Sequence, residues 1–300
     1  FLLGHATMHT TGQAFAMAFQ AGGPHAQDRG LEAVAVAYTE MTRFADAARW
    51  EKPRGKAAPL VIDKHWTLVP AGISLAIGCN TFPTWNSYPG IFASLATGNP
   101  VIVKPHPAAV LPLALTVRIA REVLAEAGLP AGVVNIVLGY GDPVGAILSS
   151  HPGVDMVSFT GSTAVGKSIL RKSADSIRRV TLELGGKNPN VVFADADYEA
   201  ALDNALNAGF LDSGLVCSAG TRLIIHESIA ERFVDDLVAR AEGIVMGGPF
   251  DESAETGPLI SKAHREKVTD YVKRGVEAGA RLRTGGHWGG PEHEKGFFYA

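Results

Sequence analysis

From residue 72 onward, short apolar runs alternate with longer stretches whose apolar positions recur at helical spacing. The runs at 73–78, 101–104, 133–138, 155–160, 180–184 and 190–193 predict strands, and 109–127, 163–173 and 198–208 predict helices among them. Strands that are apolar along their whole length are buried on both faces, the pattern of a parallel sheet covered by helices. The predicted class is therefore α/β, with a Rossmann-type parallel sheet. Such sheets hold ligands at the carboxyl ends of their strands. A strand at 221–226 and helices at 229–242 and 262–278 predict part of a second α/β unit. Ahead of the sheet, Ala14, Phe15, Met17, Ala18 and Phe19, then Leu31, Val34, Ala35 and Tyr38, give residues 1–50 a helical period broken at Gly22-Gly23-Pro24. Pro53 and Gly55 mark 52–56 as a linker. Residues 60–69 predict a β-hairpin turning near Asp63-Lys64.

Composition narrows this picture. At 46% hydrophobic and 19% charged, the 300 residues can bury a sizeable core. The net charge of -3, with Lys and Arg dispersed, argues against a nucleic-acid face or a basic membrane anchor. Two cysteines, Cys79 and Cys217, make a disulfide framework improbable and point to a reducing, cytoplasmic setting. No apolar run approaches the roughly 20 residues a membrane span needs. Phe1-Leu2-Leu3-Gly4-His5 has neither an initiating Met nor a signal-peptide pattern, and Gly296-Phe297-Phe298-Tyr299-Ala300 stops inside an apolar run. The chain reads as truncated at both ends.

The candidate chemistry centres on residues 179–222. Val180-Thr181-Leu182-Glu183-Leu184 is strand-like and ends on Gly185-Gly186; Gly214-Leu215-Val216-Cys217-Ser218-Ala219-Gly220-Thr221 is a small-residue turn around one thiol. A thiol can attack an electrophilic carbon, and a nearby carboxylate can activate water against the adduct. Taken singly, a strand-end Glu or a buried Cys reads more readily as a structural residue; together, in these glycine-rich surroundings, the two favour chemistry.

Three further motifs compete. Gly161-Ser162-Thr163-Ala164-Val165-Gly166-Lys167-Ser168 satisfies the phosphate-loop pattern between a strand and a helix, with Asp195 as a candidate magnesium ligand, so a nucleotide hydrolase is a rival function. Gly139-Tyr140-Gly141-Asp142-Pro143-Val144-Gly145 is one residue too long for a dinucleotide fingerprint. Lys104-Pro105 ends a strand where a ribose or phosphate would lie. His5 and His9 share a helical spacing, but no third ligand is evident and no metal site is predicted.

Gly98-Asn99, Val103-Lys104-Pro105, Phe159-Thr160-Gly161-Ser162, Leu182-Glu183-Leu184-Gly185-Gly186-Lys187 and Cys217-Ser218-Ala219-Gly220-Thr221-Arg222 together resemble the aldehyde dehydrogenase superfamily, in order and spacing from about Gly55 to the end. The resemblance implies NAD(P)-dependent oxidation of a small-molecule aldehyde through a thiohemiacetal and thioester. Cys217 would be the nucleophile and Glu183 the base that activates water. Lys104 would hold the adenosine ribose and Gly161 with Ser162 the pyrophosphate, with Phe159 and Gly185 beside the cofactor. It also implies residues 1–55 as a helical part of the cofactor domain, 56–70 as a bridging hairpin, 71–185 as the dinucleotide-binding domain and 186–300 as part of a catalytic domain. Dimers or tetramers are expected, with no nucleic-acid or membrane partner.

Two positions depart from the family. The oxyanion asparagine precedes a Phe-Pro pair in the family; here Thr81 fills that slot and Asn80 lies one earlier, so either could donate. Many NAD-linked members carry Glu where this chain has Pro107, which keeps NAD and NADP both open and favours NADP, with Lys104 or His106 to meet its extra phosphate. Thr10-Thr11-Gly12-Gln13-Ala14-Phe15, Gly22 to Arg29 and Thr81 to Asn86 resemble the ring-cleavage branch of phenylacetic acid degradation, whereas the chain from about Gly128 resembles general aldehyde dehydrogenases. Aromatic-compound catabolism is one expected setting, and an inactive fragment of the family is the remaining alternative.

Overall fold

The computed structural model describes residues 1–300. Three helices come first: α1 (Leu2–Thr11), α2 (Phe15–Gly22) and α3 (Pro24–Met41). Gly12, at φ 79°, closes α1 in the left-handed conformation that glycine adopts without strain. Pro24 opens α3, where its missing N–H removes no helical hydrogen bond.

The hairpin is displaced from its expected position. Strands β1 (Ala47–Arg54) and β2 (Ala57–His65) pair antiparallel around Gly55-Lys56, so the expected linker is the turn. Asp63 pairs with Arg49 and Lys64 with Ala48, near the open end of the ladder rather than at its tip. The reversal needs a residue at positive φ, and Gly55 at 63° supplies it. Neither strand buries a face, so no strong apolar alternation announced the register.

The main sheet is built from β3 (Ser74–Ile77), β4 (Val101–Lys104), β5 (Val134–Ile136), β6 (Met156–Gly161) and β7 (Arg179–Leu184). Helices α4 (Pro83–Ala96), α5 (Leu111–Glu126), α6 (Ala146–Ser150) and α7 (Thr163–Ala174) connect them. All neighbours are parallel, in the order β5-β4-β3-β6-β7. The chain starts at the centre, runs outward through β4 and β5, and returns to the far side of β3. That reversal opens a crevice at the carboxyl ends of β3 and β6, the place where such sheets bind ligands.

Successive strand residues pack on opposite faces. Ala76, Val101, Val103 and Val134 meet Tyr88 and Ile91 of α4 and Leu113 and Val117 of α5. Leu75, Val157 and Phe159 meet Ile169 of α7. Asn99 fixes the entry to the central strand: its Oδ1 accepts from the amides of Ala71 (2.6 Å) and Gly72 (3.0 Å).

The remainder holds β8 (Pro189–Val192), α8 (Tyr198–Phe210), β9 (Arg222–Ile225), α9 (Glu227–Glu242) and α10 (Lys262–Glu277), with β8 and β9 parallel. Phe233, fully buried with Val192, Leu202 and Ala205, anchors this part. Burying one such side chain contributes about 1.5–3 kcal/mol. Side-chain caps start its helices: Asp197 accepts from the Ala200 amide at 3.1 Å and Ser261 from the His264 amide at 3.2 Å. No helix is long and apolar enough to cross a membrane.

Candidate active site

Glu183 lies near the carboxyl end of β7, paired with Thr160 of β6. Residues paired in a parallel ladder share a face. Val157 and Phe159 point toward α7, so Ser158 and Thr160 point the other way, and a methyl group on Gly90 of α4 would strike the Ser158 hydroxyl at 2.6 Å. Thr181 and Glu183 therefore occupy the face that carries α4, while Val180, Leu182 and Leu184 pack on the α7 side. Glu183 is exposed there.

Cys217 is also exposed, in the turn between α8 and β9; Cys79 is the buried cysteine of the pair. Asn188 holds that turn, its Nδ2 donating to the Cys217 carbonyl at 2.9 Å and to the Ala219 carbonyl at 3.3 Å. The step from Glu183 to Asn188 spans at most about 18 Å even fully extended, so the segment leaving β7 is tethered directly to the thiol-bearing turn. Val216, next to the thiol, packs against the cluster of Ala21, Cys79 and Phe82, the last two in the turn that precedes α4. The thiol-bearing turn is thus tied to the segment that leaves β7 and packs beside the turn that precedes α4. Motif reading did not single out Asn188, although it directly follows Gly185-Gly186-Lys187.

The turn between β3 and α4 carries Asn80 and Thr81, both half-buried. The Thr81 hydroxyl is 3.6 Å from the Cys79 sulfur, which also accepts from Asn86 Nδ2 at 3.4 Å. The Thr81 carbonyl accepts from Gln13 Nε2 at 3.1 Å. Asn80 is left with a side-chain amide that the protein does not engage.

At the cofactor end of the crevice, Lys104 closes β4 and is only 3% exposed. Its one hydrogen bond within the chain is to the neighbouring Pro105 carbonyl, at 3.3 Å. Burial lowers its pKa below the ordinary lysine value. A nearly buried ammonium with two N–H groups to spare fits a hydroxyl-bearing ligand such as a ribose. Gly145 lines the same lysine, and a methyl group there would come within 3.4 Å of Lys104 Cε. Gly161 and Ser162 deliver the chain into α7, whose first amides and helix dipole favour an anion. Ser162 Oγ caps that helix by accepting from the Val165 amide at 3.4 Å. Phe159 is buried under Gly161, where a methyl group would meet its ring at 2.6 Å; nothing approaches the same position on Gly185. Pro107 is exposed, just beyond His106. His106 Nδ1 accepts from the Ala108 amide at 3.1 Å, and burial, then the charge on Lys104, lowers the pKa of the ring. Both effects disfavour a charged His106 ring, so Lys104 and not His106 is the better candidate to meet an anion at this end.

The phosphate-loop rival fails on local structure. Helix α7 begins at Thr163, so Thr163 to Ser168 are helical and Lys167 is exposed on the helix surface. Residues that should wrap a triphosphate are already bonded into the helix. His5 and His9 stack loosely at 6.5 Å between ring centres, His5 against Phe15 and His9 against Phe250. No group of three or more His, Cys, Asp or Glu side chains is placed to hold a metal ion.

Comparison with known proteins identifies the family. The sequence model of the aldehyde dehydrogenase family matches residues 11–300. Betaine aldehyde dehydrogenase of Bacillus subtilis is 46% identical over 228 residues, covering 74% of this chain and 46% of that protein. Its Brucella ovis counterpart is 44% identical over 237 residues, covering 76% and 46%. The crystal structure of Staphylococcus aureus betaine aldehyde dehydrogenase in complex with NAD+ superposes with a TM-score of 0.83 at 32% identity, over 99% of this chain and 56% of that one. The chain spans about half the length of the curated relatives it matches.

Proposed function

The chain belongs to the aldehyde dehydrogenase family, and from that premise we propose that it carries the thiol, base and cofactor contacts for NAD(P)-dependent oxidation of a small aldehyde to its acid. One observation supports this most: an exposed Cys217 tethered through Asn188 to the segment that leaves the strand of Glu183 at its carboxyl end.

Cys217 Sγ adds to the aldehyde carbonyl and forms a thiohemiacetal. The oxygen that becomes negative is met by the Cys217 amide and by the unengaged side chain of Asn80. Thr81 is the poorer donor because its hydroxyl faces the Cys79 sulfur. Lys104, Gly161 and Ser162 would hold the dinucleotide, which when bound would supply the acceptor for the hydride lost from the thiohemiacetal. The resulting thioester is then open to water, from which Glu183 takes a proton, and the acid leaves with the thiol restored. One donor to the oxyanion is worth about 2.7–4 kcal/mol of barrier, so the choice of Asn80 over Thr81 matters for rate.

NADP is the favoured cofactor, because Pro107 places no carboxylate against a 2′-phosphate and Lys104 supplies a cation. Betaine aldehydes are the substrates named for the relatives, and a compact aldehyde of that size class is the first to assay. In this proposal residues 71–185 bind the dinucleotide and 186–300 contribute the catalytic part. The exposed hairpin at 47–65, with Trp50 46% exposed, is a surface for self-assembly. Free thiols with no disulfide fit a cytoplasmic enzyme.

Replacing Cys217 with Ala tests the core of the proposal. The variant is expected to lose aldehyde oxidation entirely while still quenching the fluorescence of added NADPH. Aldehyde turnover by the variant would remove the thiol from the chemistry.

A further inference from the structure

Gln13 joins three segments that are far apart in sequence. Its Nε2 donates one proton to the Thr81 carbonyl (3.1 Å), in the turn that carries Asn80, and the other to Asp212 Oδ2 (2.9 Å), in the turn that leads into Cys217. Gln13 is 4% exposed and Asp212 5%. Around Asp212 the backbone is held in a rare conformation: Asp212 and Ser213 both have positive φ, at 51° and 54°. Side chains that keep non-glycine residues there need support from their surroundings. Ser213 Oγ lies 2.6 Å from Thr256 Oγ1 and donates to the Gly257 carbonyl at 3.0 Å. Gly257 in turn presses on residues 12–14; a methyl group on it would strike the Gly12 carbonyl at 2.4 Å. The nucleophile turn is thus fixed to the α1–α2 connection from two sides.

We propose that Gln13 and Asp212 are a pair of positioning residues that set the separation between the Asn80 turn and the Cys217 turn, so that thiol and oxyanion donor address the same carbonyl carbon. The proposal rests on Cys217 as nucleophile and Asn80 as oxyanion donor. Neither member of the pair touches substrate. The amide of Gln13 is the one side chain that hydrogen-bonds to both turns at once, and its burial keeps water from substituting for it. A displacement of about 1 Å between reacting groups costs up to roughly 100-fold in rate, so a loosened clamp acts on turnover rather than on cofactor capture.

The test compares Gln13→Ala, Asp212→Ala, the double variant and Asp212→Asn in the full chain. Readouts are kcat, the KM for NADP, and the rate of Cys217 alkylation by iodoacetamide, with folding followed by circular dichroism. Gln13→Ala and Asp212→Ala are each expected to lower kcat about 10- to 100-fold with the cofactor KM unchanged, and to alter the alkylation rate. The double variant is expected to be no worse than either single one, because the two act as a unit. Asp212→Asn keeps an acceptor for the Gln13 amide and is expected to restore kcat to within about threefold of wild type. If Gln13→Ala does not fold, the contrast between Asp212→Ala and Asp212→Asn decides. Wild-type kcat in folded Gln13→Ala or Asp212→Ala, or equal losses in Asp212→Ala and Asp212→Asn, would overturn the pair. If Cys217→Ala still turns over, the nucleophile assignment has failed instead, and the alkylation rates still report whether the clamp shapes the turn.

Discussion

Asp212 is a buried carboxyl group whose cost depends on pH, and Asp212→Asn isolates that cost. Burial raises its pKa from 3.8 to about 7, against the opposing influence of the hydrogen bond from Gln13. A pKa raised in the folded state means that the folded protein holds a proton the unfolded chain has released. The contribution of this group to stability is therefore fully present below pH 3.8 and is lost as pH rises toward 7, where the carboxylate must form in a site that disfavours it. Over the whole window the loss is about 4 kcal/mol, and between pH 5 and pH 8 it is about 2.5 kcal/mol. Asn keeps the shape and the acceptor but cannot ionise. Other groups titrate over the same range, so the quantity to follow is the difference between the two proteins. Urea unfolding at pH 5, 6, 7 and 8 should show Asp212→Asn gaining about 2.5 kcal/mol on wild type across the series, with unchanged m-values. Two stability curves that run parallel with pH would show that Asp212 is ionised throughout, and the burial argument would be wrong.

Glu183→Gln should still form the thioester and release one equivalent of reduced cofactor in a burst, followed by slow steady turnover in stopped-flow absorbance; steady-state rates equal to wild type would remove Glu183 as the base. Pro107→Glu adds a carboxylate beside the cofactor end of the crevice and should raise the KM for NADP at least about tenfold, or 1.4 kcal/mol, while leaving that for NAD nearly unchanged. Equal effects on both cofactors would mean that the 2′-phosphate lies elsewhere. Phe233→Ala empties the centre of the β8–β9 core and should cost about 3–5 kcal/mol in urea unfolding, because the site is fully closed and cannot take up water. A loss under about 1 kcal/mol would show that this part refills the cavity by repacking.

Sequence alone determined the parts of this protein that depend on local chemistry. The run Val101–Lys104 is apolar because both faces of this inner strand are covered, whereas edge strand Arg179–Leu184 alternates, with Val180, Leu182 and Leu184 packed and Thr181 and Glu183 exposed; both form strands within a residue or two of where the pattern puts them. The two residues with the most specific candidate chemistry, Glu183 and Cys217, stand out in the sequence because glycine-rich turns flank them. Where the signal was weak, it misled. The hairpin was misplaced because strands exposed on both faces leave no buried stripe, and its turn glycine resembled a linker. The phosphate-loop pattern matched by letters, but Thr163 starts a helix as soon as Ser162 can cap it, and no loop remains.

What only the tertiary structure decided is contact between segments that no local pattern links. Gln13 and Asp212 stand 199 positions apart, and each is an ordinary polar residue in its own stretch. Their pairing, the raised pKa of the carboxyl group and the placement of the Thr81 hydroxyl against the Cys79 sulfur all follow from burial and from which groups the fold brings together. Burial and partnership belong to the packed chain as a whole, because the low dielectric and the missing water are created by residues from every segment at once.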